Sequence, residues 1–324
     1  MKYLVTGASG FIGFHLSQKL LEQKENVVIG IDNMNNYYDI KLKEDRLKIL
    51  EKNKNYKFYR EDISNKEKIL EIFKKEQPDY VVNLAAQAGV RYSIDHPDCY
   101  IESNLVGFFN ILEACRKFPI RKLLFASSSS VYGANKKVPF RTEDKVDTPV
   151  SLYAATKKSN ELMAYAYSNL YKIPVVGLRF FTVYGPFGRP DMAYFSFTRD
   201  IIENKTIKVF NHGDMFRDFT YIDDIISGII ALMPLDVKED GNKVRYKVYN
   251  IGNNKPIKIM DFIEIIEKNV GKVANKEFLP MQDGDVYKTY ACIDELVKDT
   301  GFSPSTPIEV GLKKFVDWYQ EYYK

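Results

Sequence analysis

YLVTGASGFIG, at residues 3–13, joins a short apolar run to an amphipathic segment through a glycine-rich turn. The apolar residues of 11–23 recur on one face of a helix, so the stretch predicts a strand, a turn and a helix in succession. Glycines at such a junction let backbone N–H groups approach an anion at the helix N-terminus. The glycines alone fit a plain strand–turn–helix equally well.

Asp32 separates these two interpretations. It ends a second predicted strand, 26–31, about 20 residues beyond the glycine turn. A carboxylate at this place accepts hydrogen bonds from the ribose of an adenosine, and it would repel the additional ribose phosphate of NADP. The glycine turn and the carboxylate together predict that the chain binds NAD.

Strand and helix patterns alternate as far as about residue 185. This alternation predicts an α/β fold with a Rossmann-type, doubly wound parallel sheet. Later residues are richer in loops and predict a smaller, interleaved C-terminal α/β lobe, with residues 249–251 returning to the sheet. Further predicted helices cover 41–52, 66–75, 97–117 and 151–171, and further predicted strands cover 56–60, 80–85, 122–127 and 175–180.

Composition excludes several classes of protein. The 324 residues include 47 Lys+Arg and 43 Asp+Glu, a net charge of +4, which is too small to indicate nucleic acid or an anionic membrane as partner. The 3 Cys and 3 His are scattered, which predicts neither a disulfide framework nor a metal site. The sequence has no signal-peptide pattern and no apolar run of ~18 residues. We therefore expect a reduced, cytoplasmic protein.

Two further motifs carry hydroxyl groups. YAATK, at 153–157, places a tyrosine and a lysine one turn apart on a predicted helix. A phenol has a pKa of about 10, and a nearby ammonium favours the phenolate, which can accept a proton from a sugar hydroxyl. SSSS, at 127–130, follows a predicted strand at the edge where doubly wound sheets bind ligands. Alone, these motifs also fit an exposed helix pair and a serine-rich loop.

Together, these motifs resemble those of the extended short-chain dehydrogenase/reductases, the NAD-dependent epimerase/dehydratase family. The resemblance covers essentially the whole chain and is closest to the nucleotide-sugar 4-epimerases, among them those acting on UDP-glucuronate. It implies an NAD-binding domain at 1–180, which also receives parts of about 215–255, and a lobe mostly from 181–324 that binds the nucleotide sugar. The stretches that carry the closer match are Gly30–Tyr38, Leu84–Ser93, Ser127–Gly133, Ser151–Leu162, Arg179–Met192 and Arg217–Asp224.

The resemblance also implies roles for individual residues. Ser128 and Tyr153 take the catalytic positions, and Lys157 assists them while binding the nicotinamide ribose. The implied NAD-binding residues are Gly7, Gly10, Phe11, Ile12 and Gly13 at the pyrophosphate, Asp32 and Asn33 at the ribose, Asp62 and Ile63 at the adenine, and Leu84, Ala85 and Ala86 along the cofactor. The implied substrate-binding residues are Ser128, Ser129, Ser130, Thr182, Arg189, Arg217 and Asp285. The two arginines fit surface pairs with Asp191 or Asp218 equally well.

The implied reaction is reversible inversion at C4 of UDP-glucuronate through a 4-keto sugar. Ser129 and Ser130 stand where related dehydratases carry Asp and Glu, which disfavours elimination, and the Glu of related decarboxylases is also missing. Thr182 replaces the Asn of many hexose 4-epimerases and fits a pocket for the sugar carboxylate. Gln282 replaces the Arg of many relatives, which leaves the contacts to the uridine ribose open.

Two alternatives remain at the level of sequence. An enzyme that carries out the same reaction on UDP-glucose or an N-acetylhexosamine would differ only in its sugar pocket. A non-catalytic NAD-sensing protein would be expected to lack Tyr153 or Lys157, and this chain has both.

The family commonly forms homodimers through two long helices, here about 97–117 and 151–171. Apolar residues on these segments either supply that contact or belong to the core. They are Phe108, Phe109, Leu112, Leu162 and Tyr165.

Overall fold

The structure, a computed structural model, describes residues 1–281 and 287–324. Its strands are β1 Lys2–Thr6, β2 Val27–Ile31, β3 Tyr56–Tyr59, β4 Tyr80–Asn83, β5 Lys122–Ser128, β6 Val175–Phe180, β7 Thr182–Tyr184, β8 Thr206–Val209, β9 Phe216–Tyr221, β10 Tyr246–Ile251, β11 Pro256–Lys258, β12 Asn275–Phe278 and β13 Lys288–Thr289. Its helices are α1 Phe11–Leu21, α2 Ile40–Glu51, α3 Lys66–Glu76, α4 Tyr92–Asp95, α5 Pro97–Tyr100, α6 Phe108–Lys117, α7 Leu152–Tyr171, α8 Ala193–Ile202, α9 Ile222–Leu232, α10 Ile259–Val270, α11 Asp294–Thr300 and α12 Ile308–Tyr322.

The main sheet of the described residues has seven strands in the order β3-β2-β1-β4-β5-β6-β10. The neighbouring pairs from β3 to β6 are parallel. Since β4 returns to the side of β1 opposite β2, the winding reverses between β1 and β4, where doubly wound sheets bind their ligands. The predicted Rossmann-type sheet is confirmed, and the carboxyl ends of β2, β1 and β4 lie side by side at one edge.

An apolar cluster joins strands of the main sheet to helices that pack on it. Leu4, Val81 and Leu123 project from three neighbouring strands into this cluster and are completely buried. Phe108 and Leu112 of α6 pack against them. Burial of apolar surface stabilises a fold by roughly 25 cal/mol per Å², so these helices are fixed to the sheet chiefly by such contacts. Phe108 and Leu112 are therefore core residues.

The predicted helix 97–117 changes its type within the structure. A π-helical turn, Ile101–Gly107, separates α5 from α6. Within it, Asn104 is buried and hydrogen-bonds to both the N–H and the carbonyl oxygen of Gln87, at 2.8 and 3.0 Å. A wide turn of this kind inserts a residue into the helical repeat and is frequent at functional sites. The predicted helix is therefore confirmed over 97–117, and its π-helical stretch is a feature that hydrophobic periodicity cannot register.

The described chain divides into two compact units. The first comprises Met1–Lys136, Thr142–Phe180 and Ile229–Asn250 and contains the main sheet. The second comprises Lys137–Arg141, Phe181–Gly228 and Ile251–Lys324. In the second unit, β9 pairs with β7, β11 and β13, and Phe195 packs against Phe315. Among the helices of the described chain, none has the length and apolar character that crossing a bilayer requires.

Candidate active site

The glycine turn after β1 forms a cradle that larger residues would fill. Gly7 has φ +66°, and a Cβ there would lie 2.9 Å from the backbone nitrogen of Ala85. A Cβ at Gly13 would overlap the carbonyl oxygen of Gly7. Helix α1 begins at Phe11 with Gly10 as its N-cap. The N-terminal N–H groups of α1 are therefore accessible to a pyrophosphate at close range, as binding of NAD requires.

Asp32, directly after β2, is held in place by the backbone. Its Oδ2 accepts a hydrogen bond from the N–H of Ser9 at 3.1 Å, and its Oδ1 accepts one from Met34 at 2.9 Å. Sequence reasoning missed Lys43 of α2, whose ammonium lies 4.0 Å from the same Oδ1 and 2.7 Å from Asn35 Oδ1. Burial lowers the pKa of Lys43. The fixed carboxylate of Asp32 suits hydrogen bonds from a ribose diol, and the amine of Lys43 lies beside this carboxylate.

The residues expected at the adenine lie after β3. Asn33 donates to Asp62 Oδ2 at 2.6 Å, which joins the segments that follow β2 and β3. Asp62 also accepts a hydrogen bond from the N–H of Ser64 at 2.8 Å, and Ile63 is buried in the core. The structure thus brings Asn33 and Asp62 together, although the sequence separates them widely.

Leu84, Ala85 and Ala86 leave the sheet after β4. Strand β4 ends at Asn83, two residues earlier than predicted, because the N–H of Ala85 bonds to the side-chain oxygen of Thr6 at 3.1 Å instead of continuing the ladder. These three residues are half-buried and pass beside the glycine turn. This position suits residues that line a dinucleotide.

The predicted catalytic residues occupy the end of β5 and the start of α7. Ser151 caps α7 by accepting a hydrogen bond from the N–H of Ala154 at 3.1 Å. Tyr153, in the first turn, is half-buried and packs edge-on against Tyr100. Ser128 ends β5, and its hydroxyl accepts a hydrogen bond from the N–H of Ser130 at 3.1 Å.

Lys157 is almost completely buried, with 2% of its surface exposed. Its ammonium donates to the carbonyl oxygen of Ala126 on β5 at 2.9 Å and lies 5.9 Å from the ring centre of Tyr153. Burial lowers the pKa of Lys157 to about 8. A protonated amine at this distance favours the phenolate form of Tyr153.

A second group of residues, which sequence reasoning missed, supports α7. Glu161 and Arg179 form a buried two-pronged ion pair, and Glu161 also accepts a hydrogen bond from the hydroxyl of Ser127 at 2.7 Å. Asn104 donates to Thr156 at 3.1 Å and accepts at its carbonyl oxygen from Asn160 at 2.6 Å. Two sequence signals could have indicated this group. Asn104 is a polar residue inside an apolar helix, and Arg179 is an arginine inside an apolar strand.

The substrate-binding residues predicted from the second unit have varied surroundings. Thr182 begins β7 and pairs with Phe219 of β9. Arg189 forms a two-pronged ion pair with Asp191 at 2.6 and 3.1 Å, as one of its two interpretations proposed. Arg217 donates to the carbonyl oxygen of Phe216 at 2.9 Å. Asp285, and Gln282 before it, lie outside the described residues.

Asp218, the other acid proposed as an arginine partner, is buried within the second unit. It accepts hydrogen bonds from the N–H groups of Asn253, Asn254 and Ala291 at 2.7, 3.1 and 2.9 Å. Burial raises its pKa, while these donors oppose the rise. Because neighbouring residues of a strand project to opposite faces, Arg217 and Asp218 point away from each other.

Comparison with known proteins gives consistent matches over the whole chain. The sequence profile described as the NAD dependent epimerase/dehydratase family matches residues 3–252. Protein CapI of Staphylococcus aureus is 54% identical over 335 residues, covering 100% of both chains. A probable UDP-glucuronate 4-epimerase of Rhizobium meliloti is 43% identical over 337 residues, covering 100% of this chain and 98% of its own.

Among solved structures, the UDP-glucuronic acid 4-epimerase of Bacillus cereus, in complex with UDP-glucuronic acid and NAD, is similar throughout. The TM-score is 0.91 at 37% identity, and the similarity covers 100% of both chains.

Proposed function

Because this chain belongs to the NAD-dependent epimerase/dehydratase family, we propose that it catalyses reversible epimerisation at C4 of UDP-glucuronate to UDP-galacturonate with bound NAD. The observation that carries this proposal is the arrangement of Tyr153 and Lys157 on α7 beside Ser128 at the end of β5. The glycine cradle and Asp32 lie at the same edge of the same sheet. A nucleotide-sugar oxidation needs both the base and the cofactor site.

The reaction begins with a proton transfer. Tyr153, as a phenolate, removes the proton of the C4 hydroxyl, while Ser128 hydrogen-bonds to the same oxygen. The glycine cradle and Asp32 would hold NAD, which would supply a hydride acceptor for C4 and would be regenerated in each turnover. The 4-keto sugar turns over between the two transfers, and the phenol returns its proton to the C4 oxygen of the opposite configuration. Lys157 keeps its charge throughout and stabilises the phenolate.

The substrate carboxylate must be restrained. A 4-keto uronate is a β-keto acid and loses CO₂ when its carboxylate C–C bond aligns with the carbonyl π system. We assign the hydroxyls of Ser129, Ser130 and Thr182 to the carboxylate, with Arg189 as a further candidate. The similarity to the uronate 4-epimerases and the absence of dehydratase-type acids at 129 and 130 support this assignment.

The nucleotide is assigned by resemblance. Arg217 and Asp285 are proposed to bind the diphosphate and the uridine ribose, and Arg189 is a second candidate for the diphosphate. Arg189 would have to exchange its ion pair with Asp191 for a phosphate. Arginine suits this role because its planar fork matches phosphate oxygens.

We also propose a homodimer. Phe109 of α6 and Leu162 of α7 are 38% and 59% exposed, which leaves apolar surface on the helices that mediate dimerisation in the family. Tyr165 is half-buried, whereas Phe108 and Leu112 belong to the core. Replacing Leu162 by Glu should shift the sedimentation coefficient to that of a monomer. A cytoplasmic location stays a prediction from sequence.

Proton NMR of the anomeric signals tests the substrate. Purified protein, with no added NAD, is incubated separately with UDP-glucuronate, UDP-glucose and UDP-N-acetylglucosamine. Conversion of UDP-glucuronate alone supports the proposal. Conversion of another sugar alone would keep the chemistry and reject the substrate. Failure to convert any of them, while NAD is bound, would favour the non-catalytic alternative.

A further inference from the structure

Two loops of the first unit, which follow the strands on either side of β1, contact each other. Residues 32–39 follow β2, and residues 84–91 follow β4, the two strands on either side of β1. Tyr37 of the first loop packs edge-on against Tyr92, which follows the second loop, with ring centres 4.9 Å apart and planes at 69°. Such geometry is a favourable aromatic contact. The two rings therefore form a bridge between the loops that follow the two neighbours of β1 in the sheet.

The backbone around the bridge fits Tyr37 closely. Gly89 has φ +100°, and a Cβ there would lie 2.5 Å from the hydroxyl oxygen of Tyr37. The second loop thus comes near enough to Tyr37 to require a glycine. Tyr100 fixes this loop from beneath, since its hydroxyl hydrogen-bonds to the carbonyl oxygen of Ala88 at 2.8 Å.

Each side of the bridge has its own support. Next to Tyr37, Tyr38 accepts a hydrogen bond from the buried guanidinium of Arg46 at 2.7 Å. On the other side, Tyr92 stacks on His96, with ring centres 4.1 Å apart. The Tyr37–Tyr92 contact thus joins two loops that are each supported on their own side.

A dinucleotide bound to this unit has to extend along the same edge of the sheet. Its adenosine ribose belongs at Asp32, beyond β2, whereas its nicotinamide ribose belongs at Lys157, beside β5. Between them it passes the end of β1, and the Tyr37–Tyr92 contact joins the loops on either side of that strand. We propose that Tyr37 and Tyr92 retain bound NAD by holding these two loops together. The inference rests on NAD binding in the proposed function and is independent of the sugar.

Retention fits the chemistry. A dehydrogenase must exchange its cofactor in each turnover, whereas an epimerase regenerates NAD in place and gains nothing from releasing it. Slow release of NAD therefore does not reduce the rate of turnover.

The rate of NAD release tests the proposal directly. Protein loaded with isotope-labelled NAD is mixed with a large excess of unlabelled NAD, and the label remaining bound is followed over time. Tyr37→Ala and Tyr92→Ala should each release NAD about tenfold faster, the effect expected when one aromatic contact is lost. The double variant should release it no faster than the faster single variant, because both replacements remove the same contact. Tyr37→Phe, which keeps the ring, should stay near the wild type.

Tyr3→Ala is the matched control. Tyr3 stacks on Tyr80 at 5.4 Å, on β1 and β4 but at the opposite end of these strands. Release at the wild-type rate from both alanine variants of the bridge, or equal acceleration by Tyr3→Ala, would overturn the proposal. Should the alanine variants fail to fold by circular dichroism, Tyr37→Leu and Tyr92→Leu replace them with the same expected acceleration. NAD retained normally by a wild-type protein that converts no sugar would reject the proposed function and leave this inference standing.

Discussion

Lys157 lies one helical turn beyond Tyr153, with its ammonium 5.9 Å from the centre of the phenol ring. The carbonyl oxygen of Ala126 holds that ammonium from β5, so strand and helix together fix the distance. The arrangement gives a fixed positive charge near a phenol that must lose its proton. The following predictions depend on this arrangement and on the residues that support it.

Replacing Tyr153 by Phe should reduce kcat by about 10²–10⁴-fold, the usual contribution of a general base. The NAD content of the purified protein should not change, because the ring and Lys157 remain. Initial rates of C4 inversion and the NAD released by acid measure the two effects. Tyr171→Phe, at an exposed position near the end of the same helix, is the control. A Tyr153→Phe rate close to that of the wild type would contradict the assignment.

The pH dependence of kcat should report the protonation state of Lys157. Burial lowers the pKa of Lys157 to about 8, so the ammonium is lost as the pH rises through about 8. Loss of the charge raises the pKa of the Tyr153 phenol, and kcat should therefore fall on the alkaline side of pH 8. In Lys157→Arg the guanidinium stays protonated, and its residual activity should not fall there. The same alkaline fall in both proteins would reject this role for Lys157.

The lowered pKa of Lys157 also predicts how the free energy of unfolding changes with pH. The unfolded chain holds the Lys157 proton up to a pKa of about 10.4, whereas the folded chain releases it near 8. Between these values the unfolded state binds more protons, so this group raises the free energy of unfolding as the pH increases. Urea unfolding at pH 8 and pH 10 measures the change, and Lys157→Met should lack this contribution. The prediction would be contradicted if the free energy of unfolding changed between pH 8 and pH 10 by the same amount in Lys157→Met as in the wild type.

Thr182→Ala should increase the share of UDP-pentose among the products. Without the hydroxyl assigned to it, the carboxylate of the 4-keto uronate is freer to align for loss of CO₂. Thr182→Ser keeps the hydroxyl and should keep the wild-type product ratio. Product chromatography after complete conversion measures both. An unchanged ratio in Thr182→Ala would show that Thr182 does not restrain the carboxylate.

The Glu161–Arg179 pair should contribute strongly to stability. Both side chains are only 4% exposed, and Arg179→Met would remove the two-pronged partner of the buried Glu161 carboxylate, from which Lys158 lies 3.8 Å away. The free energy of unfolding should fall by about 3–5 kcal/mol, whereas Lys313→Met, in an exposed pair with Asp317, should change it by less than about 1 kcal/mol. Urea unfolding measures both. Similar small effects in the two variants would contradict the role given to the buried pair.

Sequence reasoning could propose the parts of the candidate site whose chemistry is local. The glycine turn, Asp32 and the YAATK motif each need particular residue types at fixed spacing, so their pattern was sufficient for a prediction. Glu161 and Arg179 were missed because a charged residue on a helix or strand looks the same whether it faces water or a distant partner. Asn104 was missed because its π-helical turn depends on Gln87, which packing alone brings near. The Tyr37–Tyr92 contact likewise depends on the order of strands in the sheet.

The central claim is that C4 is oxidised and reduced again within one active site. UDP-glucuronate carrying deuterium at C4, incubated with the purified protein without added NAD, tests it most directly. We predict UDP-galacturonate that keeps the deuterium at C4, with none transferred to the solvent, as measured by NMR and mass spectrometry. Loss of deuterium from C4 during conversion, or inversion at C4 in protein stripped of NAD, would contradict the account.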